Sequence, residues 1–590
     1  MSDRYRIAID VGGTFTDAVA VDAAGRVHFA KAPSTPANQA EGVLEGLTRL
    51  AAQIGTTRAA LLAQTERIVH GMTVATNALL ERKGAKVGLL ATEGHRDVLE
   101  MREGLKPERY DLRLPRREPL VPRHLRFGVR ERMRADGRVE TPLDAASLER
   151  AIAALRRARV ESVAVCYLHA WRDDRHERAT RAALEQALPG AFVCLSSEVL
   201  PQIKEYERTS TTVVNAAVGP LIRRYLGALA ARLAEAGYRG PLLVMLSHGG
   251  VAPVDEAVRV AAATVLSGPA GGLAGAGRVA ALLDVDDLIP FDMGGTSSDI
   301  SLVVEGAAML SGARDVAGER IALPSLDIIT LGAGGGSIAH VDGGGLLKVG
   351  PQSAGADPGP ACYARGGRAA TVTDASVVLG YLDPERFLGG AARLDAQAAA
   401  RALARLAEAL GVDALRAAEG VHRVVNTTMA EAVRLATVRR GVDPRRFALL
   451  GFGGAAGLHV SALARLVGIG RVIVPRVASV LSAWGMLATA LRTETTRSHV
   501  GDTGALEPGA IRDLYRAMAE EGRARMAGWF DGALESRFAA DMRYGEQVFE
   551  IDVPLEGIDL DAPDLLARMK AAFEARHEAL YTYALHEQDP

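Results

Sequence analysis

Cysteine is scarce. Cys166, Cys194 and Cys362 are the three in a chain of 590 residues, and no two stand in a Cys-x-x-Cys pair. This excludes a disulfide framework and a cysteine-built zinc site, and it suits a reducing cytoplasm, the expected location. Neither sign of charge is in excess, with 69 Lys and Arg against 71 Asp and Glu, so no bulk field draws the protein to nucleic acid or to an acidic membrane. No apolar run approaches the ~18 residues of a membrane span. The N-terminus passes into an apolar strand with no long hydrophobic leader or small-residue cleavage site, so secretion is not expected. Aromatic residues make up only 5%. A small molecule or another protein is therefore the expected partner.

What the chain has in quantity is glycine, 63 residues, much of it clustered in short loops where backbone must come close to something. Hydrophobic (48%) and charged (24%) contents are those of a globular protein. At about 100 to 200 residues per domain, the length implies roughly three to five domains or lobes.

Two glycine clusters repeat. Asp10-Val-Gly-Gly-Thr-Phe-Thr-Asp17 and Asp292-Met-Gly-Gly-Thr-Ser-Ser-Asp299 share the pattern Asp-x-Gly-Gly-Thr-x-x-Asp, and each lies between two apolar runs. Each reads as strand, tight turn, strand. Used twice, half a chain apart, the hairpin predicts two similar lobes facing each other. A single copy is explained as well by a glycine-containing β-turn; two copies with identical spacing favour a shared grip on one polyphosphate. Glycine lets backbone N–H groups approach phosphate oxygens, and Thr adds a hydroxyl donor. Gly12, Gly13, Thr14, Thr16, Gly294, Gly295 and Thr296 are the candidate phosphate contacts. Asp10 and Asp292 are the candidate catalytic carboxylates and Mg²⁺ holders, through water, because magnesium keeps several waters and needs only one or two carboxylates.

A third cluster, Gly451-Phe-Gly-Gly-Ala-Ala-Gly457, joins the apolar run Phe447–Leu450 to a helical segment, His459–Leu466. Such a strand-to-helix turn suits an adenine or ribose face, with Gly453 and Gly454 beneath it. A dinucleotide fold is the rival, but it lacks an acidic residue cleanly about 20 residues further on.

Elsewhere, Val87–Ala91 and Ser162–Tyr167 read as buried strands, and Ala145–Arg159 and Arg178–Leu188 as helices. The Pro- and Arg-rich stretch Arg102–Arg138 reads as an excursion or interface rather than core, with Arg102, Arg109 and Arg116 simply solvated. A helical stretch, Ala399–Arg440, breaks at Gly411–Asp413; Arg439 and Arg440 at its end suit the negative pole of a helix. From about Glu494 an amphipathic helix (Ala510–Trp529) and alternating strands (Arg537–Pro554) predict a small C-terminal α+β domain. Cys362 has no neighbouring His base in sequence and is expected to pack.

The order of the three clusters resembles the phosphate-1, phosphate-2 and adenosine signature of actin-like ATPases. The longer motifs resemble the hydantoinase A / 5-oxoprolinase family over essentially the whole chain. They are Ile9–Asp17, His70-Gly-Met-Thr-Val-Ala-Thr-Asn-Ala-Leu-Leu-Glu-Arg-Lys-Gly84, Ser267-Gly-Pro-Ala-Gly-Gly272, Phe291–Asp299, Gly332-Ala-Gly-Gly-Gly-Ser337 and Gly350–Tyr363. The resemblance implies an α/β fold of two actin-like (ribonuclease H-like) ATPase lobes, with nucleotide in the interlobe cleft. Its expected divisions are 1–200, 201–493 and a C-terminal domain at 494–590. It also implies ATP and Mg²⁺ as cofactors, a cyclic-amide or carbonyl substrate, and a B-type partner subunit in a hetero-oligomer.

In that family the A subunit is thought to phosphorylate the substrate's carbonyl or enolate oxygen, and the B subunit completes the reaction. Within the motifs, His70 and Asn77 are candidates for orienting substrate, against the plainer readings of a structural histidine and a helix cap, and Gly334 and Gly335 are candidates for nucleotide contact. Met72 stands where Thr is common and His95 where Phe is expected, departures that bear on the substrate side. Family members usually continue beyond Pro590, so the C-terminal domain is expected to be truncated. No Ser-His-Asp or His-Glu-x-x-His signature is present, so the chain is expected to be incomplete as a hydrolase. An ATP-dependent carboxylase subunit is the alternative. A chaperone or reactivase is disfavoured, because it has no need of the 70–84 and 350–363 loops.

Overall fold

The computed structural model describes residues 4–35, 38–104, 110–115, 117–390, 392–586 and 588–590. Arg109 and Arg116 lie outside the described residues.

The apolar runs around each Asp-x-Gly-Gly-Thr turn form the expected hairpins, and each hairpin seeds a sheet. In the first, Tyr5–Val11 pairs antiparallel with Phe15–Val21, which pairs with Val27–Pro33; on its other side it lies parallel to Thr65–Gly71, which lies parallel to Leu242–Met245. In the second, Leu288–Met293 pairs antiparallel with Ser298–Ser301, then Ile328–Leu331; on the other side come Ala448–Phe452 and Arg471–Ile473, both parallel. Three antiparallel and two further parallel strands in the same order, repeated, are the actin-like topology. The register repeats as well, Asp10 opposite Asp17 and Asp292 opposite Asp299.

Helices Ser267–Leu283 and Leu481–Met486 connect the lobes and pack between the two sheets. One apolar cluster therefore contains Ala8 and Val69 from the first sheet together with Leu288 and Leu450 from the second. Glycine permits this approach: a Cβ on Gly271 would lie 2.7 Å from the carbonyl oxygen of Ser482, and one on Gly275 2.8 Å from that of Leu481.

Leu242–Met245 and Val251–Pro253 belong to the first sheet, so the lobe change expected at residue 200 comes too early. The sequence hides this, because a whole further sheet with its helices and then the 31-residue helix Glu205–Glu235 stand between Thr65–Gly71 and its neighbour Leu242–Met245.

A further, wholly parallel sheet, ordered Phe192–Leu195, Ser162–Cys166, Val87–Thr92, Arg126–Val129, stands apart from the hairpin sheets. Its last strand corrects the reading of Arg102–Arg138 as non-core. Val121, Leu125, Val129 and Met133 are buried, and the wholly buried Arg126 side chain donates from Nε to the Val121 carbonyl (2.8 Å) and faces Asp97 and Glu100.

The break near residue 411 has a local cause. Gly411 turns left-handed (φ 67°) to end the helix Ala396–Leu410, and the Asp413 side chain accepts the Arg416 N–H to start Ala414–Val438. The segment after 494 has its own core, including Tyr515, Tyr544, Leu565 and Phe573. The three cysteines are free and buried, and Cys362 packs with Val377 and Leu394. Among the described residues no helix is long and apolar enough to cross a membrane.

Candidate functional site

The two turns are built alike. The N–H of Gly12 donates to the Phe15 carbonyl and that of Gly294 to the Ser297 carbonyl, each at 3.0 Å. They meet across the cleft: a Cβ on Gly295 would lie 3.6 Å from Oγ1 of Thr14. Gly13, Gly295 and Thr296 are exposed there.

Asp10 and Asp292 stand at the bases of these turns, each against a glycine at the end of the adjoining parallel strand. A Cβ on Gly71 would come 2.9 Å from Oδ1 of Asp10, and one on Gly453 would collide with Oδ1 of Asp292. A Cβ on Gly268 would lie 3.6 Å from Oδ1 of Asp10. The motifs at 70–84 and 267–272 thus converge on Asp10, joined by the Leu266 N–H on Thr76 Oγ1 (2.9 Å) and by Ser267 Oγ on the Met72 carbonyl (3.2 Å).

Burial, reinforced by the charge of Asp17 and opposed by Lys31, pushes the Asp10 carboxyl up to about 7. Asp292 is pushed well above the usual carboxylate range by burial and by Asp299, Asp10 and Asp17. Carboxylates so placed favour a cation beside them. Among the described residues no group of three or more His, Cys, Asp or Glu forms a metal cage. Asp10 and Asp292 are the residues that could hold Mg²⁺, together with phosphate oxygens and water.

Several expected contacts have other work in this arrangement. Thr16 is fully buried and shares a hydrogen bond with Ser34 Oγ (3.3 Å), so it braces the first turn from behind. Gly334 and Gly335, expected at the nucleotide, direct their N–H groups inward, to Ser337 Oγ (2.9 Å) and to the Gly294 carbonyl (3.0 Å). They prop the second turn.

Gly453 (φ 88°) is packed on Asp292 and the Met293 carbonyl rather than beneath an open surface; Gly454 is exposed with nothing within 4 Å of a Cβ position, leaving room for a ring. His70 is fully buried, its ring nitrogens engaged by the Ile9 carbonyl (3.2 Å) and the Tyr225 hydroxyl (2.9 Å), and burial pushes its pKa down to about 4. It is a neutral strut, which corrects its assignment as a catalytic candidate. Asn77 is exposed, one helical turn from Thr73 (Nδ2 to Oγ1, 3.4 Å).

Sequence reasoning missed Ser34, Lys31 and Thr373. Ser34 Oγ donates to the Gly12 carbonyl (2.7 Å), Lys31 Nζ pairs with Asp17 (2.6 Å), and Thr373 Oγ1 donates to the Gly335 carbonyl (2.8 Å). None lies in a glycine cluster, and no local signal marks them.

Two family models match the chain. Residues 6–188 match the hydantoinase/oxoprolinase N-terminal region and residues 208–495 match hydantoinase/oxoprolinase. The chain belongs to the hydantoinase/oxoprolinase family. It is 41% identical to caprolactamase subunit alpha of Pseudomonas jessenii, over 98% of this chain and 84% of the relative. The crystal structure of the ATP-dependent caprolactamase from that organism superposes with a TM-score of 0.87, over 98% of this chain and 85% of that one. A nucleotide-free acetone carboxylase structure gives a TM-score of 0.81 at 28% identity, over 98% of this chain and 85% of that one. The 5-oxoprolinase 1 of Arabidopsis thaliana is 31% identical over 92% of this chain but only 46% of its own length.

Proposed function

We infer that this chain is the ATP-using A-type subunit of a cyclic-amide hydrolase, phosphorylating a lactam, hydantoin or oxoproline carbonyl oxygen for a B-type partner to complete hydrolysis. The observation that carries it is the pair of identical Asp-x-Gly-Gly-Thr turns facing each other across one cleft, in a chain similar throughout to a caprolactamase subunit.

An amide carbon is a poor electrophile. When its oxygen attacks the γ-phosphorus, the bond to the bridging oxygen breaks and ADP leaves, and the O-phosphorylated amide is open to water. Phosphoryl transfer asks mainly for positioning and charge neutralisation. Gly13, Thr14, Gly295 and Thr296 offer backbone N–H and hydroxyl donors to the phosphates from both sides. Asp10 and Asp292 would hold Mg²⁺, which would neutralise phosphate charge. Gly454 offers a flat surface to the nucleoside. His70, through the Ile9 carbonyl, ties the strand that ends in Gly71 to the strand that carries Asp10.

The similarity to acetone carboxylase favours a second reading, in which the oxygen phosphorylated belongs to a ketone enolate or to its co-substrate. Both readings require a partner, because the reactive product must pass to a second site protected from bulk water. The test uses the purified chain with and without its B-type subunit, on lactams, hydantoins, 5-oxoproline and ketones. Nucleotide binding without ring opening by the single chain, and ATP-coupled ring opening by the pair, is the expected result. Complete ring opening by the single chain would overturn the division of labour, and turnover of ketones alone would select the carboxylase.

A further inference from the structure

The glycine loop that follows Ala448–Phe452 can cover only one face of a planar base, at Gly454 and Gly457, which are exposed with nothing within 4 Å of a Cβ position. The helix Val372–Val378 runs beside this loop. Near its start, Thr373 donates to the Gly335 carbonyl, and a Cβ on Gly335 would lie 3.9 Å from that of Ala455. Beyond its end comes Tyr381, whose ring centroid lies 5.0 Å from that of His422, the planes at 56°. The half-buried His422 ring hydrogen-bonds in turn to the backbone of Leu458, the residue after Gly457. This helix and the residues after it therefore flank the loop from Ala455 to Leu458.

Tyr381 is the outer ring of a stack of three. His422 lies on His459, with centroids 4.8 Å apart and planes at 20°. Asn426, buried beneath them, donates to the His422 carbonyl (2.7 Å) and engages Nδ1 of His459 through its Oδ1 (3.2 Å). The stack runs from a closed end to an open one: His459 is 1% exposed and Tyr381 54%. Burial and the neighbouring His422 push His459 down to about 3, and burial holds His422 below its usual pKa. Both imidazoles are therefore neutral near pH 7 and offer faces rather than charge. The Nε2 of His459 is enclosed and closed to a ligand. Tyr381 rests one face on His422 and leaves the other free, so the ring is partly ordered before a ligand arrives, which lowers the cost of binding.

We propose that Tyr381 is a base-binding residue of the nucleotide site: the adenine of ATP stacks on its free face, and the Gly454–Gly457 backbone covers the base from the other side. Aromatic stacking needs no charged partner, and it suits a loop of glycine and alanine that carries no side chain able to read a base edge. His422 is a positioning residue, which sets the Tyr381 ring against the loop through Leu458. The inference rests on the reading of the hairpin turns as a triphosphate grip and extends it to the nucleoside.

The experiment titrates the full chain, with Mg²⁺ present, by calorimetry with ATP and with ribose 5-triphosphate, which keeps the sugar and phosphates and lacks the base. ATP is expected to bind more tightly. Tyr381→Ala should weaken ATP about tenfold and change ribose 5-triphosphate less than about twofold, as the loss of one stacked ring does. Tyr381→Phe, which keeps the ring, should match the parent, and His422→Leu should show the same split between the two ligands, more weakly. Phe549→Ala, at an exposed aromatic of the C-terminal domain, should change neither. In steady state with the partner subunit, Tyr381→Ala should raise the KM for ATP and leave kcat little changed. Unaltered binding of ribose 5-triphosphate reports that each variant is folded; should Tyr381→Ala fail that check, Tyr381→Leu replaces it with the same expected loss. Equal weakening of both ligands in the folded variants, unchanged ATP affinity, or a loss in Tyr381→Phe as large as in Tyr381→Ala overturns the proposal. A parent chain that binds both ligands equally overturns it and leaves the phosphate grip standing, whereas a parent that binds neither overturns both.

Discussion

The two hairpins share turn, register and partners in the sheet, but they are braced differently. Behind the first stand side chains: Ser34 Oγ on the Gly12 carbonyl, Thr16 on Ser34, and Lys31 on Asp17. Behind the second stands backbone: the N–H groups of Gly335 and Gly336 on the Gly294 and Gly295 carbonyls, with a Thr330 hydroxyl rather than a cation on Asp299 (2.6 Å). The first turn is therefore adjustable by ordinary substitution, whereas the second depends on close backbone packing that only glycine allows. The charge balance differs in the same sense. Lys31 sits in contact with the first carboxylate pair, so of the two turns the second has the greater need of a bound cation.

The largest test of that contrast is removal of the carboxylates. Asp10→Ala and Asp292→Ala should each lower ATP-coupled turnover of the complete enzyme about 10²- to 10³-fold, the cost of one preorganised electrostatic group. The loss should be greater for Asp292. Steady-state kinetics with the partner present decide this, and near-wild-type rates in either variant would remove the Mg²⁺ assignment.

Next in size is the packing of glycine. Gly453→Ala places a Cβ against Asp292 and the Met293 carbonyl at φ 88°, which should cost about 1–3 kcal/mol in thermal or denaturant unfolding and disturb nucleotide binding as well. Gly13→Ala, with nothing within 4 Å of its Cβ position, should stay within about 0.5 kcal/mol. Equal destabilisation by the two would show that the turns are not braced as described.

Proton linkage gives a third handle. The Asp10 carboxyl is raised from 3.8 to about 7 in the folded chain, so between those values the unfolded chain releases a proton that the folded chain keeps. Metal-free stability should fall as pH rises across that window and level off above it. Asp10→Asn should flatten this slope, seen in urea midpoints from pH 5 to pH 8. A slope unchanged by the substitution would place the titration elsewhere.

How far the sequence revealed this molecule follows from the range over which each feature is specified. The hairpins were legible because strand, Gly-Gly-Thr turn and strand are local, and the break at Gly411–Asp413 because a left-handed glycine and an Asp cap are local as well. The strand Arg126–Val129 was not, since Arg126 looks solvated until Asp97, Glu100 and the Val121 carbonyl are brought around it. Gly334 and Gly335 were placed in the right neighbourhood with the wrong task. A glycine cluster announces close approach, not which side is approached, and here it is the second turn. His70 illustrates the same limit: its motif is specific, but only the folded chain shows that Ile9 and Tyr225 already occupy its nitrogens.

The finest test of the comparison lies in two hydroxyls. Ser34→Ala removes the side-chain donor to the Gly12 carbonyl while leaving its own N–H on the Thr14 carbonyl, so the Gly12 carbonyl loses the one side-chain donor given to it there. Thr373→Ala removes a hydroxyl from the Gly335 carbonyl, but the Thr373 N–H still donates to that oxygen at 2.7 Å. A lone lost bond of this kind costs about 1 kcal/mol, and a shared one less. Ser34→Ala should therefore raise the KM for ATP a few-fold with kcat little changed, because the first turn loosens without losing a charge, and Thr373→Ala should be nearly silent. If Thr373→Ala were the more damaging of the two, the second turn would depend on a side chain as the first does, and the contrast between side-chain and backbone bracing would fail.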